Sequence, residues 1–404
     1  MLDAAIRLQR GRNRMIGYQD SQTLLRRVTD SVDSFHDAFA KLDNLTSGFL
    51  AVNCPPDGTN PDGTTRFVPC WEAPGGIGYS PSKVSSEALP LPGPSVPVGQ
   101  NLRVHRYLVW YNRRGCMMLA HMFLPGGYPF TQYATIVSVH PGGWRGGFIE
   151  KNQKYNTSFI QASNGYGPFV VFAPAYALSA YQHIAPMSQD DIEDFRGLVA
   201  SSATQTQFAV NTSVHGFGVS AGGHLLNLLA LTRNYGRVGS AGPVSDLRDG
   251  FNGHPNPYGN DNAAPNPYGI STPPYAVPNV TDPNNLLPFI NRYTNMNGMT
   301  NPQLGAVDKG SVSPNAQPSS VSGSQFYIQH GVRDTLVSPK QSKLFQSNNA
   351  STTGVCGVDG YHAFYDPYAS TVELTQFDAV VARFMQFFAT GTKSTTGCKS
   401  MSEF

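Results

Sequence analysis

The sequence predicts an α/β fold, on three observations. From about residue 103 onward, β-type runs alternate with helical ones. A glycine-rich strand–turn–helix lies midway along the chain, at 212–231. An amphipathic helix closes the ordered part, with Phe377, Val380, Val381, Phe384 and Phe388 on one face.

Each element has its own signal. Over 20–45, Leu25, Val28, Val32, Phe35, Phe39 and Leu42 fall three and four apart, which predicts a helix with one apolar face. Packing on the core is its plainest role, with a cap over the site or a dimer seam as the alternatives. Residues 50–100 are rich in Pro and Gly and read as ordered surface loop. The runs 103–112 and 116–124, joined by Arg113-Arg114-Gly115, read as a β-hairpin that opens the core sheet. Strands are expected at 133–139, 169–174 and 212–217, and a helix at 190–203. Residues 250–305 carry little charge and repeat Asn-Pro-Tyr-Gly at 256–259 and 266–269. A lid or substrate groove is the preferred reading of this insertion, and a passive surface loop stays open. A further strand runs from 324 and breaks at Gly331; Ser338-Pro339 then caps a helix over 340–345. The last helix opens on a capping box at Ser370 and Glu373 and ends at Gly391.

The candidate chemistry starts at Gly218-Val219-Ser220-Ala221-Gly222, a G-x-S-x-G pentapeptide. In a chain with 41 glycines the pentapeptide alone is a weak signal. The β-type run before it and the apolar helix after it supply the setting it needs. Glycines on both sides let the chain turn sharply, so that Ser220 projects beyond a sheet while a helix N-terminus points at the same spot. A serine hydroxyl needs a base, and the base needs an orienting acid. In this architecture acid and then base follow the serine in the chain. Asp334 lies at a strand's C-terminal end and His362 in a glycine-containing loop before the last helix, and these two are the expected partners. His330 reads as a structural neighbour of the acid loop and His224 as a core or supporting histidine. Asp359 stands too close to His362 in sequence to meet it in the usual geometry.

Upstream, the strand at 133–139 runs into His140-Pro141-Gly142-Gly143-Trp144. This segment resembles the His-Gly-Gly-Gly oxyanion motif of esterases. By position Gly142 and Gly143, with Ala221, are the expected N–H donors to a developing oxyanion. Pro141 stands where that motif has its first glycine and has no N–H to give.

Taken together, His140-Pro-Gly-Gly-Trp144, Gly218-x-Ser-Ala-Gly-Gly-His224-Leu225, His330-Gly-x-x-Asp334-x-x-Val337 and Gly360-x-His362 resemble the α/β-hydrolase superfamily over about residues 104–390. The nearest branch is the hormone-sensitive-lipase-like, feruloyl-esterase-like and arylformamidase-like enzymes. The resemblance implies a mostly parallel central sheet with helices on both faces, an N-terminal extension over 1–100, a catalytic domain over 101–392 with an insertion after its sixth strand, and a tail over 393–404. It implies serine hydrolysis of carboxylic esters through a covalent acyl-serine, with no cofactor. Trp144 and the Tyr-rich insertion point to aromatic or polymeric esters. Amide hydrolysis of the arylformamidase kind uses the same residues and remains an alternative, as does a hydrolase-like binding protein without catalysis.

Composition bounds the rest. A net charge of +2 with 13% charged residues gives no support to nucleic-acid or membrane-surface binding. No run reaches the roughly 18 apolar residues of a membrane span. Residues 1–18 carry Arg7, Arg10, Arg12 and Arg14 but no apolar stretch, so they do not read as a signal peptide. No C-x-x-C and no Cys/His cluster has zinc spacing, so no metal is expected. Of the five cysteines, Cys54 and Cys70 flank one loop, while Cys356 and Cys398 flank the last helix. Two disulfides and one buried thiol, Cys116, is the tidy reading, and it places the protein outside the cytoplasm, extracellular or periplasmic. Five reduced thiols in a cytoplasmic enzyme is the alternative. Oligomeric state is not readable.

Overall fold

A computed structural model describes residues 56–59, 65–67, 95–99, 102–111, 117–125, 133–145, 149–161, 165–179, 185–201, 210–248, 287–295, 306–318, 323–332, 334, 336–360, 362–364 and 371–401. The expected helix over 20–45, the capping serine Ser370, the cysteines 54, 70 and 116 and most of the 250–305 insertion lie outside these residues.

Nine strands form one sheet. In chain order they are β3 (Ser95–Gly99), β4 (Leu102–Tyr111), β5 (Met117–Leu124), β6 (Tyr133–Val139), β7 (Val170–Pro174), β8 (Val210–Val219), β9 (Arg237–Ala241), β10 (Gln325–Gly331) and β11 (Thr353–Val358). A separate antiparallel pair, β1 (Pro56–Thr59) and β2 (Thr65–Phe67), precedes them. Across the sheet the order is β11-β10-β9-β8-β6-β7-β5-β4-β3. From β11 to β7 all pairings are parallel, and β5, β4 and β3 add an antiparallel edge. The expected hairpin at 103–124 is the β4–β5 pair.

Six helices are described: α1 (Gln153–Phe159), α2 (Met187–Val199), α3 (Ala221–Thr232), α4 (Leu287–Thr294), α5 (Lys340–Asn348) and α6 (Thr371–Thr390). The strands they cover are nearly continuous in apolar residues, as sheets buried on both faces require. Successive strand residues enter opposite layers. Val137, Phe172 and Ile328 join the core under α2, α3 and α5, while Ile136, Val171 and Tyr327 join the core under α1 and α6. The apolar stripe of α6 falls as its spacing predicts, with Phe377, Val380, Val381, Phe384 and Phe388 all buried. Burial of each such side chain contributes about 1.5–3 kcal/mol.

Three features differ from the sequence expectation. Residues 50–100 are not loop throughout, because β1, β2 and β3 lie there, and β3 pairs with β4 from Ser95 opposite His105. The strand β9 was not foreseen. Of the insertion, α4 is packed rather than free: Ile290 and Tyr293 are buried, and the Ala185 N–H donates to the Tyr293 carbonyl at 3.0 Å.

The topology picks out one place for chemistry. After β6 the chain passes to α1 on one face, and after the neighbouring β8 it passes to α3 on the other. Open α/β sheets bind ligands at such a switch, beyond the carboxyl ends of the strands. Here those ends carry His140–Gly143 and Ser220.

Candidate active site

Ser220 closes β8 and opens α3 at φ 54°, ψ −119°. A non-glycine residue at such angles costs on the order of 1–3 kcal/mol and needs its surroundings to hold it. The hold is backbone on backbone. The Ser220 N–H donates to the Ala241 carbonyl at 2.9 Å, and the His224 N–H donates to the Ser220 carbonyl at 3.0 Å. A Cβ on Gly218 would lie 2.4 Å from the Gly222 oxygen, and one on Gly222 would lie 2.2 Å from the Val139 oxygen. Neither position can carry a side chain. The two motif glycines thus let α3 start against the end of β6.

That turn is clamped on every side. Gly142, Gly143 and Trp144 have φ of 140°, 59° and 55°. The Arg145 N–H closes the turn on the Gly142 carbonyl at 3.2 Å. The Tyr176 hydroxyl donates to the His140 carbonyl at 3.0 Å, and its ring stacks on the His140 ring at 4.2 Å. The Asn152 amide donates to the Val139 carbonyl at 2.9 Å, and the Ser179 N–H donates to the Trp144 carbonyl at 2.8 Å. Burial lowers the His140 pKa to about 3, so the ring beside the proposed anion site is neutral.

The structure brings Asp334 and His362 together. His362 Nδ1 lies 2.6 Å from Asp334 Oδ2. The other oxygen, Oδ1, accepts from the N–H groups of Leu336 and Val337, each at 2.9 Å. Asp334 is buried, which by itself would raise its pKa. The charge of His362 and hydrogen bonds from His330 and His362 outweigh that and hold the carboxyl well below the usual range. It is therefore an ionised acceptor, to which His362 Nδ1–H donates.

Ser220 meets this pair through the backbone. Ala241, which holds the Ser220 N–H, is followed by Gly242 at φ 56°. A Cβ on Gly242 would lie 3.3 Å from Asp334 Oδ2 and 3.4 Å from His362 Nδ1. Among the described residues no hydrogen bond joins the Ser220 hydroxyl to His362. Such contacts are often long in unliganded sites and tighten with substrate.

The weighed histidines fall as the sequence suggested. His330 is buried, with Nδ1 2.6 Å from Ser342 Oγ and Nε2 2.8 Å from the Val337 carbonyl and 3.2 Å from Asp334 Oδ2. His224 is buried with its pKa lowered to about 4 by desolvation. Trp144 departs from expectation. Placed at the substrate by its position beside the turn, it is fully buried, stacked on Tyr293 at 5.0 Å, with its Nε1 donating to His224. Its side chain packs instead against α3 and α4. Cys356 and Cys398 are bonded, and the Lys399 N–H donates to the Gly357 carbonyl at 2.8 Å, so the tail is pinned to β11 at residues that shortly precede His362. Sequence reasoning missed Gly242 and Tyr176. A glycine ending the unforeseen β9 was the only available sign of the first. The partner of the second lies 36 residues away, so no local sign existed.

Among the described residues no group of three or more His, Cys, Asp or Glu is placed to hold a metal ion, and no helix is long and apolar enough to cross a membrane.

Residues 123–267 match the BD-FAE family model, an esterase family of the α/β-hydrolases. The matched stretch includes the 140–145 turn and Ser220 and stops before Asp334 and His362. No curated protein matches the chain in sequence. Among solved structures, an esterase of Pyrobaculum calidifontis aligns at TM-score 0.52 and 16% identity, covering 72% of this chain and 86% of its own. Vibralactone cyclase aligns at TM-score 0.52 and 17% identity, covering 74% and 83%. At these identities the likeness concerns the fold. The chain has the α/β-hydrolase fold.

Proposed function

We propose that this protein hydrolyses carboxylic esters through an acyl-serine formed on Ser220. His362 Nε2 takes the Ser220 proton as the oxygen attacks the ester carbonyl. Asp334 holds the imidazole in the Nδ1–H form and stabilises the imidazolium. The N–H groups of Gly142, Gly143 and Ala221 receive the charge that develops on the carbonyl oxygen. His362 then protonates the leaving alcohol, and water activated by the same nitrogen releases the acid. No cofactor is required by this chemistry.

The observation that carries the reading is the 2.6 Å Asp334–His362 bond packed against Gly242, next to the residue that fixes Ser220. A lone buried carboxylate with a lone histidine is common; the pair beside a serine held at φ 54° at a topological switch is not. Small-molecule esters are the simplest substrates. With Trp144 buried, a preference for aromatic or polymeric esters rests on the Tyr-rich insertion alone. An extracellular or periplasmic location is part of the proposal, supported by the Cys356–Cys398 bond, since such bonds persist in oxidising compartments.

A panel of p-nitrophenyl esters of graded chain length, with feruloyl and polyester substrates alongside, tests the activity and ranks the acyl group. Turnover of at least one ester, lost in Ser220→Ala, is expected. Absence of turnover across the panel, or turnover that survives Ser220→Ala, contradicts the proposal.

A further inference from the structure

Trp144 and His224 stand where the two sources of the oxyanion donors meet. Trp144 directly follows Gly143 in the turn, and His224 lies one helical turn beyond Ser220 on α3, the helix that begins with Ala221. Both side chains are fully buried. The indole Nε1–H donates to His224 Nδ1 at 3.0 Å across 80 residues of sequence. An indole nitrogen can only donate, so His224 Nδ1 must accept and the imidazole proton must sit on Nε2. That proton is used in turn, because His224 Nε2 lies 2.7 Å from the Val312 carbonyl and donates to it. Every polar atom of the pair is satisfied in a single direction: Trp144 to His224 to Val312.

The pair is also wedged in place. The Trp144 ring stacks on Tyr293 of α4 at 5.0 Å and meets the His224 ring edge-on at 5.0 Å. Its carbonyl is held by Ser179. A bulky residue at φ 55° stays there only when its surroundings over-determine it.

We infer that Trp144 and His224 are positioning residues, whose hydrogen bond is a strut setting the separation between the Gly142–Gly143 donors and the Ala221 donor. The inference rests on the reading of this site as an acyl-transfer centre. Its physical basis is the tolerance of such a centre. Donors must sit about 2.7–3.1 Å from where the oxyanion forms, and they do so without reorganisation only if their carriers are fixed beforehand. Here the carriers are two chain segments far apart in sequence, and the Trp144–His224 bond is the side-chain link that runs directly between them. Burial lowers the His224 pKa to about 4, which favours the neutral ring that the link requires.

The strut touches no substrate, so its loss should appear in the transition state rather than in ground-state binding. The test uses Trp144→Phe, His224→Gln and His224→Asn in the full chain. The readouts are kcat and KM on the best p-nitrophenyl ester, affinity for a trifluoromethyl ketone that mimics the tetrahedral intermediate, and thermal melting. Trp144→Phe keeps the ring and deletes the donor. His224→Gln keeps a donor near Val312 and loses the acceptor. His224→Asn places its amide oxygen near the position of Nδ1 and keeps the acceptor. Trp144→Phe and His224→Gln are expected to lose about 10–100-fold in kcat with KM changed less than about threefold, and ketone affinity should fall in step. His224→Asn should recover most of the rate.

Folded Trp144→Phe or His224→Gln protein with wild-type kcat, a loss confined to KM, or a His224→Asn variant as slow as His224→Gln overturns the inference. If Trp144→Phe does not fold, the two His224 variants decide. A wild-type protein with neither ester turnover nor affinity for the ketone overturns the site reading and the strut with it. Wild-type turnover with unaffected variants overturns the strut alone.

Discussion

Around Ser220 backbone presses on backbone, with Gly222 against Val139 and Gly218 against Gly222 at distances no Cβ survives. Around His362 the packing is open by comparison: a Cβ on Gly360 would find nothing nearer than the Phe364 ring at 3.4 Å, an ordinary contact. There the holding is done by side chains, through Asp334, His330 and the Cys356–Cys398 bond. The serine turn is thus set by glycines that admit backbone contact, with Trp144, His224, Tyr176 and Asn152 bracing it, whereas the base is held by side chains and a disulfide alone. In the proposed mechanism the donors and the serine must not move, whereas the base shuttles a proton between several oxygens.

The sharpest way to break this comparison is a pair of matched substitutions. Gly222→Ala should abolish activity and impair folding, since the added carbon must displace the Val139 carbonyl. Gly360→Ala, although it alters the Gly-x-His motif, should leave kcat/KM within about twofold of wild type, a change of under ~0.5 kcal/mol in barrier. Equal damage from both, measured by turnover and melting, would show that the halves are not held differently.

Within the side-chain half, the effects should be graded. His362→Ala should lower kcat by about 10⁴-fold or more, and Asp334→Asn by roughly one or two orders less, because the acid orients and stabilises rather than transfers the proton. His330→Ala should be milder still, since His330 touches the acid and not the reacting atoms. A folded His330→Ala protein as inactive as His362→Ala would mean that the base has been wrongly chosen.

The covalent clamp comes next in size. The Cys356–Cys398 bond links residues 42 apart, which chain entropy values at about 4 kcal/mol. Reduction should lower activity several-fold before the protein unfolds, because the clamp lies close to His362 and far in sequence from Ser220. Parallel assays of turnover and near-ultraviolet dichroism during reduction check the order. Loss of fold and activity together would remove the selective link to the base.

Acid stability separates the halves as well. His140, His215 and His224 are buried, with pKa values lowered from 6.5 to about 3, 4 and 4. Below pH 6.5 the unfolded chain binds protons that the folded chain refuses. Stability should therefore be full above pH 6.5 and fall as the pH drops toward 4, by up to about 1.4 kcal/mol per unit for each histidine. His140 precedes the Gly142–Gly143 turn and His224 lies on α3, so the serine half should loosen as these two titrate. Urea midpoints at pH 7, 6 and 5 measure the slope, and a flat profile would contradict the burial of these rings in solution.

The same division marks what the sequence reveals. The Ser220 turn was legible because its glycines are contiguous and its strand and helix flank them. Asp334 and His362 were legible through strand-end and loop position together with their order after the serine, and the Cys356–Cys398 pair through its place around the last helix. The strand β9 was not, because Gly239 breaks its apolar run. That glycine is there because Phe384 and Phe388 of α6 lie on it, 2.9 and 2.8 Å from where a Cβ would be. The strand β3 carries a loop-like sequence because it holds Pro97, which a sheet tolerates at its edge, where β3 lies. Trp144 was misplaced because its partners, His224 and Tyr293, come from distant segments and no local pattern announces them.

The central claim is that Ser220 is the nucleophile, activated within this arrangement. Incubation with a fluorophosphonate followed by intact and peptide mass spectrometry tests it most directly. A single adduct on Ser220 is expected, formed in step with loss of ester turnover and absent from Ser220→Ala. Full inactivation with the adduct on another residue, or ester turnover that persists with Ser220 fully labelled, would contradict it.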